Sequence, residues 1–389
     1  MEKQRNIPQL RFPEYEGEWE EKKLGDVAEI KTGDKDTQNR VDDGIYPFFV
    51  RSDNVERINS YSFDGEAILT SGDGVGVGKN FHYMNGKFDF HQRVYSIRKF
   101  SEYVSGKFIF YFFSDRFYKR VIRLSAKNSV DSVRMDMITD MPIYFPTLIE
   151  QQKIASFFTA IDQKITQLKR KKNLLEHYKK GVIQKIFSQE IRFRGDNGQE
   201  FPRWEKKLLR KIAKIYDGTH QTPNYVITGI PFYSVEQVTA NDFQNTKYIS
   251  EDVFKKENQR VKLGKGDILM TRIGDIGTAK YIDWDVNASF YVSLALIKHS
   301  DLFNSNYLSH YISTQNFQKE LWKRTIHVAF PKKINLGEIG ECEVELPPLP
   351  EQTKIANFLS VIDDKINHTQ TQIEKAEVWK KGLMQRMFV

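Results

Sequence analysis

The chain is written twice. Residues 146–165, PTLIEQQKIASFFTAIDQKI, lie over residues 347–366, PPLPEQTKIANFLSVIDDKI, and the match runs without a gap to YKKGVIQKIF (178–187) over WKKGLMQRMF (379–388). Eighteen of these 42 positions are identical, all at an offset of 201. The starts match too: EWEEKKLGDVAEIKTG (18–33) lies on RWEKKLLRKIAKIYDG (203–218) at an offset of 185, with seven identities in 16. Upstream, Leu10-Arg11-Phe12 echoes Ile191-Arg192-Phe193. The offset grows by 16, which puts extra residues in the second copy between Gly218 and Gly266. Such a duplication commits the chain to two like domains, and 389 residues are in any case long for one core.

Each copy closes on a helix. Pro142 and Pro146 precede the first tail, and Pro347, Pro348 and Pro350 the second; proline stops a strand and suits a helix start. Apolar residues then recur at steps of three and four: Ile154, Phe157, Ile161, Ile165, Leu168, Leu175, Tyr178, Val182 and Ile186. The second tail carries Ile355, Phe358, Ile362, Ile366, Ile373, Ala376, Trp379, Leu383 and Met387. This stripe is a coiled-coil seam, and a helix of ~38 residues is about 57 Å long. The alternative is two amphipathic helices, each packed on its own domain; the register shared over the whole length favours a paired coil. Residues 164–185 hold eight Lys or Arg against Glu176 alone, and 365–386 hold five against two. A solvated face accounts for such a run; a nearby DNA backbone is the other reading.

Ahead of each tail the pattern is of short strands and one helical stretch. YPFFV, EAILT and RVYSI read as strands in the first copy, and IPFYSV, DILMT and SLALI in the second. Residues 105–125 and 304–324 read as equivalent helices whose Phe108, Tyr111, Phe112, Tyr307, Tyr311 and Ile312 face a core. The expected class is α+β, divided at 1–145, 146–190, 191–346 and 347–389.

Several chemistries are excluded. TSGDGVGVGK (70–79) has glycine at every second position from Gly72 to Gly78, but Asp73 stands where a Walker loop needs its first glycine, and Asn80 where it needs a hydroxyl. At an offset of 201 it falls on TRIGDIGTAK (271–280), where only Thr271, Gly277 and Lys280 survive. A strand, a glycine turn and one lysine are what both copies share. Asp26, Glu29 and Lys31 suggest a metal nuclease, yet their counterparts are Lys211, Lys214 and Tyr216. The eight histidines form no metal-binding spacing. Cys342 is the one cysteine, which suits a reducing cytosol and a small filler in a strand. The start, MEKQRNIPQL, has no apolar signal region, and Phe108–Phe113 is too short to span a bilayer, so a soluble cytoplasmic protein is expected. The net charge, 59 − 51 = +8, favours a polyanionic partner.

The pattern P-x-L-x-E-Q-x-K-I-A opens a helix twice, each time after a domain of roughly 140–160 residues. With KGDILMTRIGDIGTAKYI (265–282) it resembles the specificity subunit of type I restriction-modification systems, over essentially the full chain. The resemblance implies two target recognition domains, each reading one half of a bipartite site in double-stranded DNA. It implies that the tails pair as an antiparallel coiled coil with internal two-fold pseudo-symmetry, fix half-site spacing and dock two methyltransferase (modification) subunits. Restriction/translocase subunits join the full complex. S-adenosylmethionine, ATP and Mg belong to those partners; no cofactor and no catalytic residue are expected in this chain.

Candidate DNA contacts are polar residues in loops: Arg51, Lys79, Arg93, Lys127, Asn128 and Arg134 in the first domain, and His220, Gln221, Arg272, Lys280, His327, Lys332 and Lys333 in the second. Arginine suits guanine and glutamine suits adenine in the major groove. A methyltransferase carrying its own target domains is excluded, since neither a cofactor glycine motif nor an Asn/Asp-Pro-Pro-aromatic motif is present. A coiled-coil scaffold without DNA reading remains as the alternative, and the basic charge and two divergent domains on one frame argue against it.

Overall fold

The structure, a computed structural model, describes residues 6–74, 76–125 and 132–389. The chain divides into two compact units, Met1–Arg170 with Thr369–Val389, and Lys171–His368.

The first unit runs β1 (Glu20–Lys23), α1 (Leu24–Val27), β2 (Glu29–Thr32), β3 (Tyr46–Phe49), β4 (Val55–Ile58), β5 (Phe63–Ser71), β6 (Phe81–Phe90), β7 (Val94–Arg98), α2 (Gly106–Leu124), α3 (Met135–Thr139), β8 (Pro142–Phe145) and the start of α4 (Leu148–Phe187). Six strands form one sheet in the order β2-β7-β5-β6-β3-β4. Its pairs are antiparallel except β3 with β6, where Phe48 and Phe49 lie beside Asp89 and Phe90. A separate ribbon joins β1 to β8. α2 starts where the Ser105 hydroxyl accepts from Phe108 N. It buries Phe108, Phe112, Phe113 and Phe117, each burial contributing roughly 1.5–3 kcal/mol.

The second unit repeats the plan with β9 (Glu205–Leu208), β10 (Ile215–Asp217), β11 (Ile230–Tyr233), α5 (Val235–Ala240), β12 (Lys247–Ile249), α6 (Glu251–Glu257), β13 (Ile268–Ile273), β14 (Asp275–Tyr281), β15 (Ser289–Phe290), β16 (Leu294–Ile297), α7 (Ser305–Ile312), α8 (Gln315–Arg324), α9 (Leu336–Gly340), β17 (Glu343–Leu346) and α10 (Leu349–Met387). The ribbon is β9 with β17. β11 pairs in parallel with β15, setting Phe232 and Tyr233 beside Ser289 and Phe290. The single strand β6 is here divided into β14 and β15, so the sheet opens into β10-β16-β13-β14 and β12-β11-β15. The extra residues of this copy fold as α5 and α6. The helix expected over 304–324 is two, because Thr314 donates to Tyr311 O and accepts from Phe317 N, capping a new start.

Both tails are long helices, α4 of 40 residues and α10 of 39. Within the first unit Asp162 binds Lys380 and Lys169 binds Glu377, each at 2.6 Å, so the paired halves run antiparallel. Within the second unit Lys179 binds Asp363 at 2.5 Å, the same pair at the same offset. Ile154, Ile161, Ile165, Ile355 and Ile362 are buried as the seam requires, and Leu175, Ile366 and Leu383 are half-buried. Tyr178 and Trp379 depart from that expectation and are exposed. Phe157 and Phe358 lie at the margin of the seam: Phe157 meets Trp379 of the paired helix edge-on at 6.2 Å and Phe12 at 5.7 Å, and Phe358 meets Phe193 at 5.7 Å. The adjacent Phe158 and Leu359 are fully buried in their place.

Candidate nucleic-acid interface

Five loops of the first unit meet at one edge of its sheet. His91 N donates to Phe49 O, Gln92 N to Lys35 O, Gly72 N to Arg93 O and Val133 N to Gly72 O. Residues 71–80 turn the chain from β5 to β6 through Gly74 (φ +82°) and Gly78 (φ +68°), a left-handed backbone that glycine adopts without cost. The turn carries Asp73 between two exposed guanidinium groups. Its Oδ1 accepts from Arg51 at 3.2 Å and its Oδ2 lies 3.8 Å from Arg93. Lys79 is exposed with its amine 5.0 Å from the centre of the Tyr118 ring. Arg134 is exposed and pairs with Asp136. Lys127 and Asn128 lie outside the described residues.

The second unit builds a cleft of about 460 Å³ between the 217–221 loop and residues 256–261 at and beyond the end of α6. The Asp217 carboxylate accepts from Arg260, and His220 Nε2 lies 2.9 Å from its Oδ2. Burial alone would raise the Asp217 pKa; the guanidinium of Arg260, with His220, holds it below the usual carboxylate range. Thr219 Oγ1 donates to Glu257 at 2.9 Å. Gln221 is exposed at the mouth. His327, Lys332 and Lys333 are exposed on the loop that follows α8.

One expected contact is corrected, and a second is less open than its counterpart in the first copy. Arg272 is buried; its Nε donates to Ile334 O at 3.2 Å and its Nη1 to Val292 O at 2.7 Å, so it ties loops together from inside. Burial lowers its pKa from the ordinary arginine value. Lys280 is half-buried with its amine 5.8 Å from the Trp284 ring, and burial lowers its pKa as well. The lysine shared by the two copies is thus exposed in one and half-buried in the other.

The remaining groups are cations and amides on exposed loops, several steered by a carboxylate or an aromatic ring. Such groups bind phosphate oxygens and base edges. Among the described residues, no three His, Cys, Asp or Glu side chains converge as metal ligands, and no helix is long and apolar enough to cross a membrane. Burial raises the Cys342 thiol pKa to about 11.

The profile of the type I restriction modification DNA specificity domain matches residues 16–177 and again 203–378. The chain belongs to this family. The specificity-domain chain is 22% identical to the type I restriction enzyme EcoDI specificity subunit of Escherichia coli, over 92% of this chain and 85% of that one. It is 25% identical to the MjaVIII specificity subunit of Methanocaldococcus jannaschii, over 96% and 92%. In fold it is similar to the S subunit of a type I restriction-modification system from M. genitalium, with a TM-score of 0.68 at 15% identity, covering 98% and 99% of the two chains.

Sequence reasoning missed Asp73 and Tyr118 in the first unit and Asp217 and Arg260 in the second. Asp73 sat in plain view inside the glycine turn. Arg260 follows the extra helix α6, a region with no counterpart in the first copy to compare with.

Proposed function

We propose that this chain is the sequence-specificity subunit of a type I restriction-modification complex. It is non-catalytic. Each recognition domain reads one half of a bipartite site in double-stranded DNA, and the paired helices set half-site spacing and dock two modification subunits. Restriction/translocase subunits complete the assembly in the cytoplasm. S-adenosylmethionine, ATP and Mg chemistry belongs to those partners. One observation carries the reading: the two copies keep the same closing ribbon, the same parallel strand pair and the same long tail helix while their loops differ. A scaffold has no use for that division, whereas two readers of different half-sites need it. At 1.5 Å per residue a helix of this length spans roughly 60 Å, ample for half-sites one DNA turn, about 34–36 Å, apart.

The test is co-expression with the cognate modification subunit and sequencing of methylated genomic DNA. A split motif with a fixed non-specific spacer is expected. Methylation at an undivided motif, or at no motif, would sink the reading.

A further inference from the structure

Phe330 is fully exposed, at 104% of its reference surface, and Val328 beside it at 96%. A phenyl group left wholly in water at a loop tip has no role in this unit's core. The loop is nonetheless well held. Ile326 N donates to Lys333 O at 2.8 Å, closing residues 327–332 into a finger. The His327 ring packs on Trp322 with centroids 4.1 Å apart, and the Lys332 amine lies 5.0 Å from the centre of the same indole. The base of the finger joins the candidate interface. Gly274 N donates to Lys332 O, Ile334 N to Arg272 O, and Val292 N to Thr219 O. Lys332 and Lys333, both exposed, follow the phenyl group in the chain, while Lys323 and Arg324 at the end of α8 are paired with Glu320.

We infer that Phe330 is an apolar wedge that enters the duplex at the half-site read by the second domain, between two adjacent base pairs. This rests on the DNA-reading function proposed above. A phenyl ring has no hydrogen bond with which to read a base edge; it can touch a thymine methyl in the major groove or stack on an exposed base face, and a ring standing wholly clear of its loop suits the second. Lys332 and Lys333 follow it to hold phosphates, and the tilted Trp322–His327 contact braces the base of the finger. The wedge favours half-sites with an easily unstacked step, such as TA or CA, so it contributes specificity without a base-edge contact.

The experiment uses the full chain in complex with its modification subunits, on duplexes carrying the mapped site. 2-Aminopurine is placed step by step through the second half-site. Wild type is expected to raise its fluorescence at one step, and Phe330→Ala to abolish that rise and weaken binding by roughly 10- to 100-fold. Phe330→Leu, which keeps a wedge, is expected to retain most of both. Unchanged affinity of Phe330→Ala, or specific binding with no unstacked step, overturns the wedge while leaving the DNA-reading function standing. A Phe330→Ala chain that no longer assembles with modification subunits overturns it in favour of a protein contact. Failure of the wild-type complex to bind its mapped site overturns the parent reading, and the wedge with it.

Discussion

His310 and Tyr111 are the same position in two copies, each six residues after the helix cap, Asn304 or Ser105. The Tyr111 hydroxyl donates to Asp162 at 2.9 Å. His310 Nε2 is 3.8 Å from Asp363 and has no hydrogen-bond partner among the described residues. Burial, then the charge of Lys179, pushes the imidazole pKa down to about 3. Unfolded histidine titrates near 6.5. The unfolded chain therefore takes up a proton that the folded unit refuses between those values. Stability from this group is complete above about pH 6.5 and is lost as pH falls toward 3, by about 2 kcal/mol at pH 5. His310→Tyr is expected to remove that increment. Chemical denaturation of wild type and variant at pH 7.5 and pH 5 measures it, and an equal pH dependence in both would refute it. Gly33 and Gly218 make a second pair. A Cβ on either would sit 1.9 or 2.0 Å from the carbonyl oxygen of Phe90 or Phe290. Gly33→Ala and Gly218→Ala are each expected to cost about 3 kcal/mol, read as a lowered melting temperature.

The motif that identified the helices also explains how they are seated. Glu150 and Glu351 are buried, and each accepts two hydrogen bonds from an arginine of the preceding arm, Arg11 or Arg192. Gln151 accepts from Ser105 N and donates to Pro146 O; Gln352 does the same with Asn304 N and Pro347 O. Lys153 and Lys354 pair with Glu14 and Asp196. So Leu-Arg-Phe and Glu-Gln-x-Lys are one lock, split across the chain. Among the described residues, removing Arg192 leaves Glu351 buried with Trp204 Nε1, 3.3 Å away, as its side-chain donor. Arg192→Ala is expected to destabilise the second unit by about 3–5 kcal/mol in urea unfolding. Arg192→Lys should recover little, since an ammonium cannot bind two carboxylate oxygens in the same fork. These partners were legible as repeats, but nothing local told Arg192 from a surface cation. The seam was legible to within one residue: Phe157 fitted a step of three, and Phe158 fills the core. A step of three or four cannot separate neighbours when both are aromatic. The parallel pairing of β3 with β6 left no local trace, because register across a long connection is set by packing and not by either strand alone. Arg272 was misjudged for the same reason: only the fold shows that its side chain points inward to two carbonyls.

Two copies with separate cores need not have separate functions, and that is a question for the whole chain. Each unit has its own buried cluster, and each carries its own set of edge loops. If function follows those loops, specificity is modular. The isolated chain should transfer no methyl group from labelled S-adenosylmethionine to DNA; transfer without a modification subunit would show chemistry that neither repeat reveals. The stronger test is exchange. Replacing residues 191–345 with the corresponding segment of a relative leaves the first domain and both helices intact. It also leaves the junctions at the chain's own repeats, before Ile191-Arg192-Phe193 and ahead of Pro347. The new segment must therefore supply an arginine for Glu351 and a backbone N–H at the start of its helix for Gln352, or the second helix loses its seat. With those kept, methylated-DNA sequencing should show one half of the motif changed, the other half unaltered and the spacer the same. A change in both halves would mean that the two domains read DNA jointly, and that the duplication preserved a fold without dividing the recognition.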